Sequence, residues 1–451
     1  MNDQQKIASK RYQPYNNKNI SKIQALEGLP SSYKEEIDVV SRVLPFRTNN
    51  YVVDELIDWD NIPNDPIFQL TFPQRKMLKW RDYEMIRTQI QQGASENEII
   101  KKAQMIQKKM NPHPAGQISM NVPEFRGKRL NGIQHKYDET VLFFPTQGQT
   151  CHAYCTYCFR WPQFVGLEEL KFSSASINEL ILYLDSHPEV TDVLITGGDP
   201  LFMSANVLEK YIEPLIRKRP GNISTIRFGT KVPAYWPYRF LTDNDSDKLI
   251  RLFGKIVDSG FHLSIMSHFS HYRELETDPA RHAIRRILST GAVVRCQAPL
   301  IRHINDHSYI WTRMWKNQVA LGAIPYYMFV ERNTGPKDYF SVSLADAYMI
   351  FKNAYKRVSG LSRTVRGPSM SSTPGKILID GVTTIGNEKV FVLKFIQGRD
   401  SSWVNKIFFA KYDEHSGWLD DLKPAFGAKQ FFFEDRLAEM KAEKELFEDA
   451  S

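Results

Sequence analysis

Between residues 139 and 330, short apolar runs alternate with amphipathic windows, and that alternation restricts the fold more than any other feature of the chain. The strand-like runs fall at 140–144, 190–196, 224–229, 262–267, 292–298 and Ile324–Val330. Helical windows at 176–184, 204–217, 245–258 and 279–289 lie between them. Strands alternating with helices imply parallel βαβ units joined by right-handed crossovers. The near-continuous apolar character of the runs agrees, because a parallel sheet is covered by helices. The expected class is therefore α/β, a partial (β/α)6 TIM-like barrel; periodicity alone does not close it.

The flanks have a different texture. Residues 1–134 are polar and broken by proline, with helices expected at 73–92 and 96–109, and Pro112, Pro114 and Pro123 marking an extended connector. They are expected to form a helical arm without a large core. Residues 135–335 would be the barrel, and residues 336–451 an α+β extension. The extension is expected to hold a helix at 343–358, antiparallel strands at 382–395 and 406–412, and a charged terminal helix at 433–448.

The formal net charge is +8, but Lys and Arg are scattered among acidic residues, which fits a solvated basic surface; no nucleic-acid partner is expected. No run approaches eighteen apolar residues and the first residues lack an apolar signal core, so neither a membrane span nor secretion is expected, and the cytoplasm is the default. Of four cysteines, three fall within eight residues, which is no disulfide framework and points to a reducing compartment and a metal centre.

That cluster is Cys151-His-Ala-Tyr-Cys155-Thr-Tyr-Cys158, directly after the first expected strand, where α/β barrels place their chemistry. Three thiolates on a 4Fe–4S cube leave one iron open to an exogenous ligand. The amino and carboxylate groups of S-adenosylmethionine can take that position, and an electron from the cluster then cleaves the sulfonium to a deoxyadenosyl radical. A structural zinc site is the alternative. It needs a fourth ligand, for which His152 or Cys296 is available, although Cys296 sits mid-strand like a small buried hydrophobe. After the second strand comes Gly197-Gly198-Asp199-Pro200, whose glycines permit close backbone approach to a ligand.

Taken in order, several segments make the chain resemble the lysine 2,3-aminomutase family of radical S-adenosylmethionine enzymes over roughly residues 50–400. They are Pro63–Pro66, Gly132–Tyr137, CHAYCTYCFR, ITGGDPL, FGTKVP from Phe228, Ser267-His268-Phe269, CQAPL from Cys296, Pro325-Tyr326-Tyr327 and Thr373-Pro374-Gly375-Lys376. The resemblance implies a radical S-adenosylmethionine barrel that moves an amino group from the α to the β carbon of an amino acid. It implies pyridoxal 5′-phosphate (PLP) held covalently on a lysine, at Lys376. It also implies that Lys136 and Tyr137 contact the PLP phosphate and ring, that Gly197, Gly198 and Asp199 bind S-adenosylmethionine, and that Gln297 and His268 lie near it. Arg160 matches the arginine that pairs with the substrate α-carboxylate, a role suited to the guanidinium fork. A reductant such as flavodoxin or ferredoxin is implied, and a homo-oligomer is compatible.

The chain also departs from the family. Lysine-using members carry two aspartates for the distant ammonium; here one position falls on Arg332 and the other near Ser369, with Arg366 close by. An ammonium buried against Arg332 would be an unpaired like-charge contact, whereas a side-chain carboxylate, as in glutamate or aspartate, would pair with it. The family's C-terminal cysteine cluster is missing, and Trp161-Pro162 replace basic residues. The alternative function is a PLP-independent radical S-adenosylmethionine enzyme of the same fold acting on another substrate.

Overall fold

The computed structural model describes residues 7–166 and 171–449. Eleven strands form one sheet in the order in which the chain makes them. They are β1 (Ile133–Tyr137), β2 (Thr140–Phe143), β3 (Asp192–Ile195), β4 (Thr225–Thr230), β5 (His262–His268), β6 (Val293–Leu300), β7 (Ile324–Val330), β8 (Arg366–Ser371), β9 (Gly375–Ile385), β10 (Glu388–Gly398) and β11 (Ile407–Lys411). Neighbours from β2 to β8 pair parallel; β1 and β9 to β11 add antiparallel margins. Sequential parallel order with right-handed crossovers puts every helix on one face and leaves the other face to curl around a cavity.

The crossover helices follow from local chemistry. Ser246–Asp258 buries Leu249, Leu252, Phe253 and Ile256, the spacing of one helical face. Asp278–Leu288 starts at Thr277, whose hydroxyl accepts the Ala280 N–H at 3.3 Å, with Pro279 in its first turn. In β6, Val294, Cys296, Ala298 and Leu300 are buried on one face, while Gln297 and Pro299 face the cavity. Cys296 is thus a packed apolar residue outside the cavity lining. The barrel floor is polar: Arg227 Nε donates to Asp192 at 2.8 Å and Thr140 Oγ1 donates to the same carboxylate at 3.2 Å.

The six expected strands are all present, and a seventh parallel strand, β8, joins them after the helix Leu344–Tyr355. Its sequence, RGPSMS, has neither the apolar alternation nor the β-branched content that marks a strand, so register against β7 creates it. The helix Ser308–Ala320 completes the expected alternation at a place where the sequence marks no clear window. It has no capping side chain, and its buried Ile310, Trp311, Met314, Trp315 and Gln318 make a mixed stripe. The single strand expected at 382–395 is instead the turn between β9 and β10 with parts of both. Gly386, at φ +59°, reverses the chain there.

The N-terminal region departs furthest from expectation. The helix expected at 73–92 breaks into a turn at Arg75–Met77 and a helix at Trp80–Gln91. Rather than an arm without a core, this region shares the apolar core of the barrel: Tyr51, Val52, Phe68 and Phe72 belong to the same buried cluster as Ile226, Ile265 and Val294. Among the described residues no helix is long and apolar enough to cross a membrane. Phe68 is fully buried and stacks on Phe72 at 4.7 Å between ring centres. Phe68→Ala is therefore expected to cost about 3–5 kcal/mol. Urea unfolding should show that loss in the same transition that unfolds the barrel.

Candidate active site

A cavity of about 410 Å³ opens where the parallel strands end. Most of the residues singled out in the sequence line it: Cys151, Cys155, Cys158 and Arg160 after β2; Gly197, Gly198 and Asp199 after β3; His268 and Gln297 on β5 and β6; Arg332 after β7; Lys136 and Tyr137 on β1; and Lys376 on β9, whereas Arg366, Ser369 and Cys296 do not.

The cysteine loop is held from the N-terminal region. Tyr12 Oη and Asn49 Nδ2 donate to the His152 carbonyl at 2.8 and 3.1 Å. The Tyr154 and Thr156 N–H groups donate to the carbonyls of Arg47 and Leu70 at 2.8 and 3.0 Å. Arg47 Nη1 donates to Thr150 Oγ1 at 2.7 Å. The three thiols bear on one another electrostatically: burial, then Asp199 and the other two sulfurs, raises the pKa of Cys151, and burial, then Cys155, raises that of Cys158 to about 12. Each thiol also has a cation that favours its thiolate, Arg47 at Cys151, Lys231 at Cys155 and Arg160 at Cys158. Among the described residues no three His, Cys, Asp or Glu side chains converge on a single-ion position. A four-iron cube asks for something different, three thiolates on three separate irons, and the loop can offer them. The His152 ring is boxed by Tyr12, Phe202 and Trp236, and Cys296 points away.

The glycines are required by close approach of this loop. A Cβ on Gly197, which has φ +151°, would lie 2.2 Å from Gln149 Nε2, and one on Gly198 would lie 2.5 Å from the Thr150 nitrogen. Asp199 is a brace. Its N–H donates to the Thr150 carbonyl at 2.8 Å, and its carboxylate accepts from Thr230 Oγ1 at 2.7 Å and from the Lys231 N–H at 2.7 Å. Burial raises its pKa to about 6 against these hydrogen bonds. His268 Nε2 and Gln297 Nε2 are 2.7 Å apart. Burial, then Lys231, lowers the His268 pKa to about 3, so the ring is neutral and accepts from the Gln297 amide.

A second group of lining residues is cationic and short of counter-charge. Lys376 Nζ donates to Gln397 Oε1 at 2.8 Å and lies 4.3 Å from the centre of the Tyr327 ring. Burial, then Arg227, Arg366 and Arg332, lowers its pKa to about 7. Lys136 Nζ donates to the Ser372 carbonyl. Burial, then Arg399, Arg332 and Lys376, holds its pKa well below the usual amine range. The Arg160 guanidinium lies 4.1 Å from the Phe144 ring centre and its Nε has no partner; Arg332 lies 4.1 Å from that of Phe159. Burial lowers the pKa of each arginine to about 10. Neither pairs with a carboxylate among the described residues. Together they form a preorganised site for anions.

Sequence reading missed Arg47, Lys231, Tyr235, Tyr327 and Gln397. Lys231 and Tyr327 stood within the recognised motifs FGTKVP and Pro325-Tyr326-Tyr327; Tyr235 and Gln397 carry no spacing signal and meet the cavity only through tertiary packing, and Arg47 holds the cysteine loop from outside the lining.

No family model matches the chain. It is 29% identical over 406 residues to an Aquifex aeolicus protein provisionally named an L-lysine 2,3-aminomutase, covering 90% of this chain and 94% of that one. It is 24% identical over 374 residues to the L-lysine 2,3-aminomutase of Methanococcus maripaludis, 82% of this chain and 75% of that one. Glutamate 2,3-aminomutase of Clostridioides difficile matches at 26% over 231 residues, 51% of each chain. Among solved structures, Streptococcus suis SuiB bound to S-adenosylmethionine covers 64% of this chain and 61% of its own at a TM-score of 0.37 and 12% identity, too slight a likeness to carry an argument. The chain is an enzyme of the radical S-adenosylmethionine class. Within that class it is an isomerase of the aminomutase type, similar in sequence to the lysine and glutamate 2,3-aminomutases.

Two measurements check this geometry. Only the free base of Lys376 reacts with an aldehyde, and the free base grows as pH rises through about 7. Reductive trapping of an aldehyde on Lys376 should therefore reach half its maximum near that pH, with peptide mass mapping as the readout, and Lys376→Arg should lose the labelled peptide. Gly198→Ala drives a methyl into the Thr150 backbone. It should lower the iron bound per chain on anaerobic reconstitution while circular dichroism stays native.

Proposed function

We propose that the chain is a PLP-dependent 2,3-aminomutase acting on an amino acid with a side-chain carboxylate. The observation that carries this reading is Lys376, an amine with no carboxylate partner among the described residues and a pKa lowered to about 7, set among Tyr137, Tyr327 and Phe329 at the cationic end of the cavity. When bound, a 4Fe–4S cluster with S-adenosylmethionine supplies a carbon radical that removes hydrogen from the β carbon, and PLP supplies a π-system that spreads the unpaired electron during nitrogen migration.

The residues of this chain divide the remaining work. Cys151, Cys155 and Cys158 hold three irons, leaving the fourth for the S-adenosylmethionine amino and carboxylate groups. Gly197 and Gly198, braced by Asp199, keep the backbone low beside that position, and neutral His268 with Gln297 offers uncharged polar contacts. Lys376 would hold PLP, with Tyr137 placed to contact its ring and Lys136 its phosphate. Arg160 grips the substrate α-carboxylate through its fork. Arg332, unpaired and buried, takes the side-chain carboxylate and rejects an ammonium. A low-potential one-electron donor of the flavodoxin or ferredoxin kind is needed to start each cycle.

The test is anaerobic reconstitution with iron, sulfide and PLP, followed by reductant, S-adenosylmethionine and a single amino acid. Mass spectrometry should find β-glutamate or β-aspartate from the matching α-amino acid, and none with Lys376→Ala. Arg332→Asp should lower kcat/KM for the acidic substrate by roughly a hundredfold, since breaking a buried pair costs about 3 kcal/mol or more. Faster conversion of lysine than of either acid would overturn the substrate assignment. Deoxyadenosine without any β-amino acid would overturn the PLP-dependent reading in favour of a PLP-independent reaction.

A further inference from the structure

Tyr235 Oη stands 3.2 Å from Cys155 Sγ. The phenol is rigid: its ring is 2% exposed, and its carbonyl accepts from Asn49 Nδ2 at 3.0 Å. Behind the ring, Lys231 Nζ lies 4.7 Å from its centre, held by Glu274 Oε1 at 2.7 Å and Ser270 Oγ at 3.2 Å. A cysteine that ligates iron has no proton to give, so the tyrosine is the donor. Arg47 and Arg160 bear on Cys151 and Cys158 through their charge, whereas the contact at Cys155 is a hydroxyl-to-sulfur hydrogen bond.

We propose that Tyr235 is a positioning residue for electron entry, raising the reduction potential of the cluster through its hydrogen bond to Cys155. This rests on the assignment of the three thiols to a 4Fe–4S cluster. Reduction adds one electron from an external donor, and part of its charge spreads onto the thiolate sulfurs. A hydrogen bond to a sulfur strengthens as that sulfur becomes more negative, so it favours the reduced state. No bond forms or breaks, and the phenol proton stays on Oη. Lys231, ion-paired with Glu274, packs against the ring face and helps fix its position. The device makes the cluster easier to reduce without placing another charged group in the cavity.

The experiment compares reconstituted full-length protein with its Tyr235→Phe variant. Iron and sulfide are counted per chain, and the cluster is titrated with dithionite under electron paramagnetic resonance. At equal iron content, Tyr235→Phe should lower the equilibrium constant for one-electron reduction about tenfold, which corresponds to about 59 mV toward negative potential. Tyr238→Phe, whose hydroxyl donates to Glu55 at 3.2 Å, should leave the potential where it is. A fully loaded Tyr235→Phe protein with the wild-type potential overturns the proposal. If that variant binds less iron, 3-fluorotyrosine at position 235 decides, because it is a stronger donor: a higher potential supports the proposal and an unchanged one overturns it. A wild-type protein that binds no iron and sulfide overturns the cluster assignment itself.

Discussion

Strands that pair parallel in chain order leave the crossovers no freedom: each right-handed connection returns on the same side, so the helices cover one face and the sheet curls over the other. The inner face then holds what the strands and their following loops present. Seven parallel strands obey this order, and the antiparallel β9 to β11 extend it without a break. Lys376 reaches the cavity because β9 pairs with β8, with Ser371 opposite Lys376. The cysteine loop and the lysine are 218 positions apart in the chain, yet both belong to one sheet and one cavity.

The cavity is costly to build. Lys136, Lys376, Arg160 and Arg332 sit in or beside it with few acceptors and no carboxylate partner among the described residues. Burying cations without counter-charge opposes folding, and their depressed pKa values express that cost. Anions repay it on binding, so folding energy is held in reserve for affinity and orientation. The same desolvation lowers the pKa of both amines, that of Lys376 to about 7, and so raises the share of the free base, the form in which an amine is nucleophilic.

Support for the cysteine loop comes from outside the barrel. Tyr12, Arg47, Asn49 and the carbonyls of Gln69 and Leu70 hold the backbone around Cys151, Cys155 and Cys158. A loop of this length has too little apolar surface to fix itself, so its shape is borrowed from the N-terminal core. That explains why residues of unremarkable composition, Tyr51, Phe68 and Phe72 among them, are as deeply buried as the barrel strands.

The sequence by itself determined the βα alternation, the place of the thiolates after β2 and the close-approach glycines after β3, because period, spacing and the absence of a Cβ are local properties. Tertiary structure alone decided that RGPSMS is a strand, since only pairing with β7 makes it one. It decided that the polar N-terminal region is core and clamp, and that Asp199 braces two loops. It also decided that Tyr235 meets Cys155 across 80 residues. Each of these depends on which distant atoms exclude water from a group and which replace it as partner, and no local pattern encodes that.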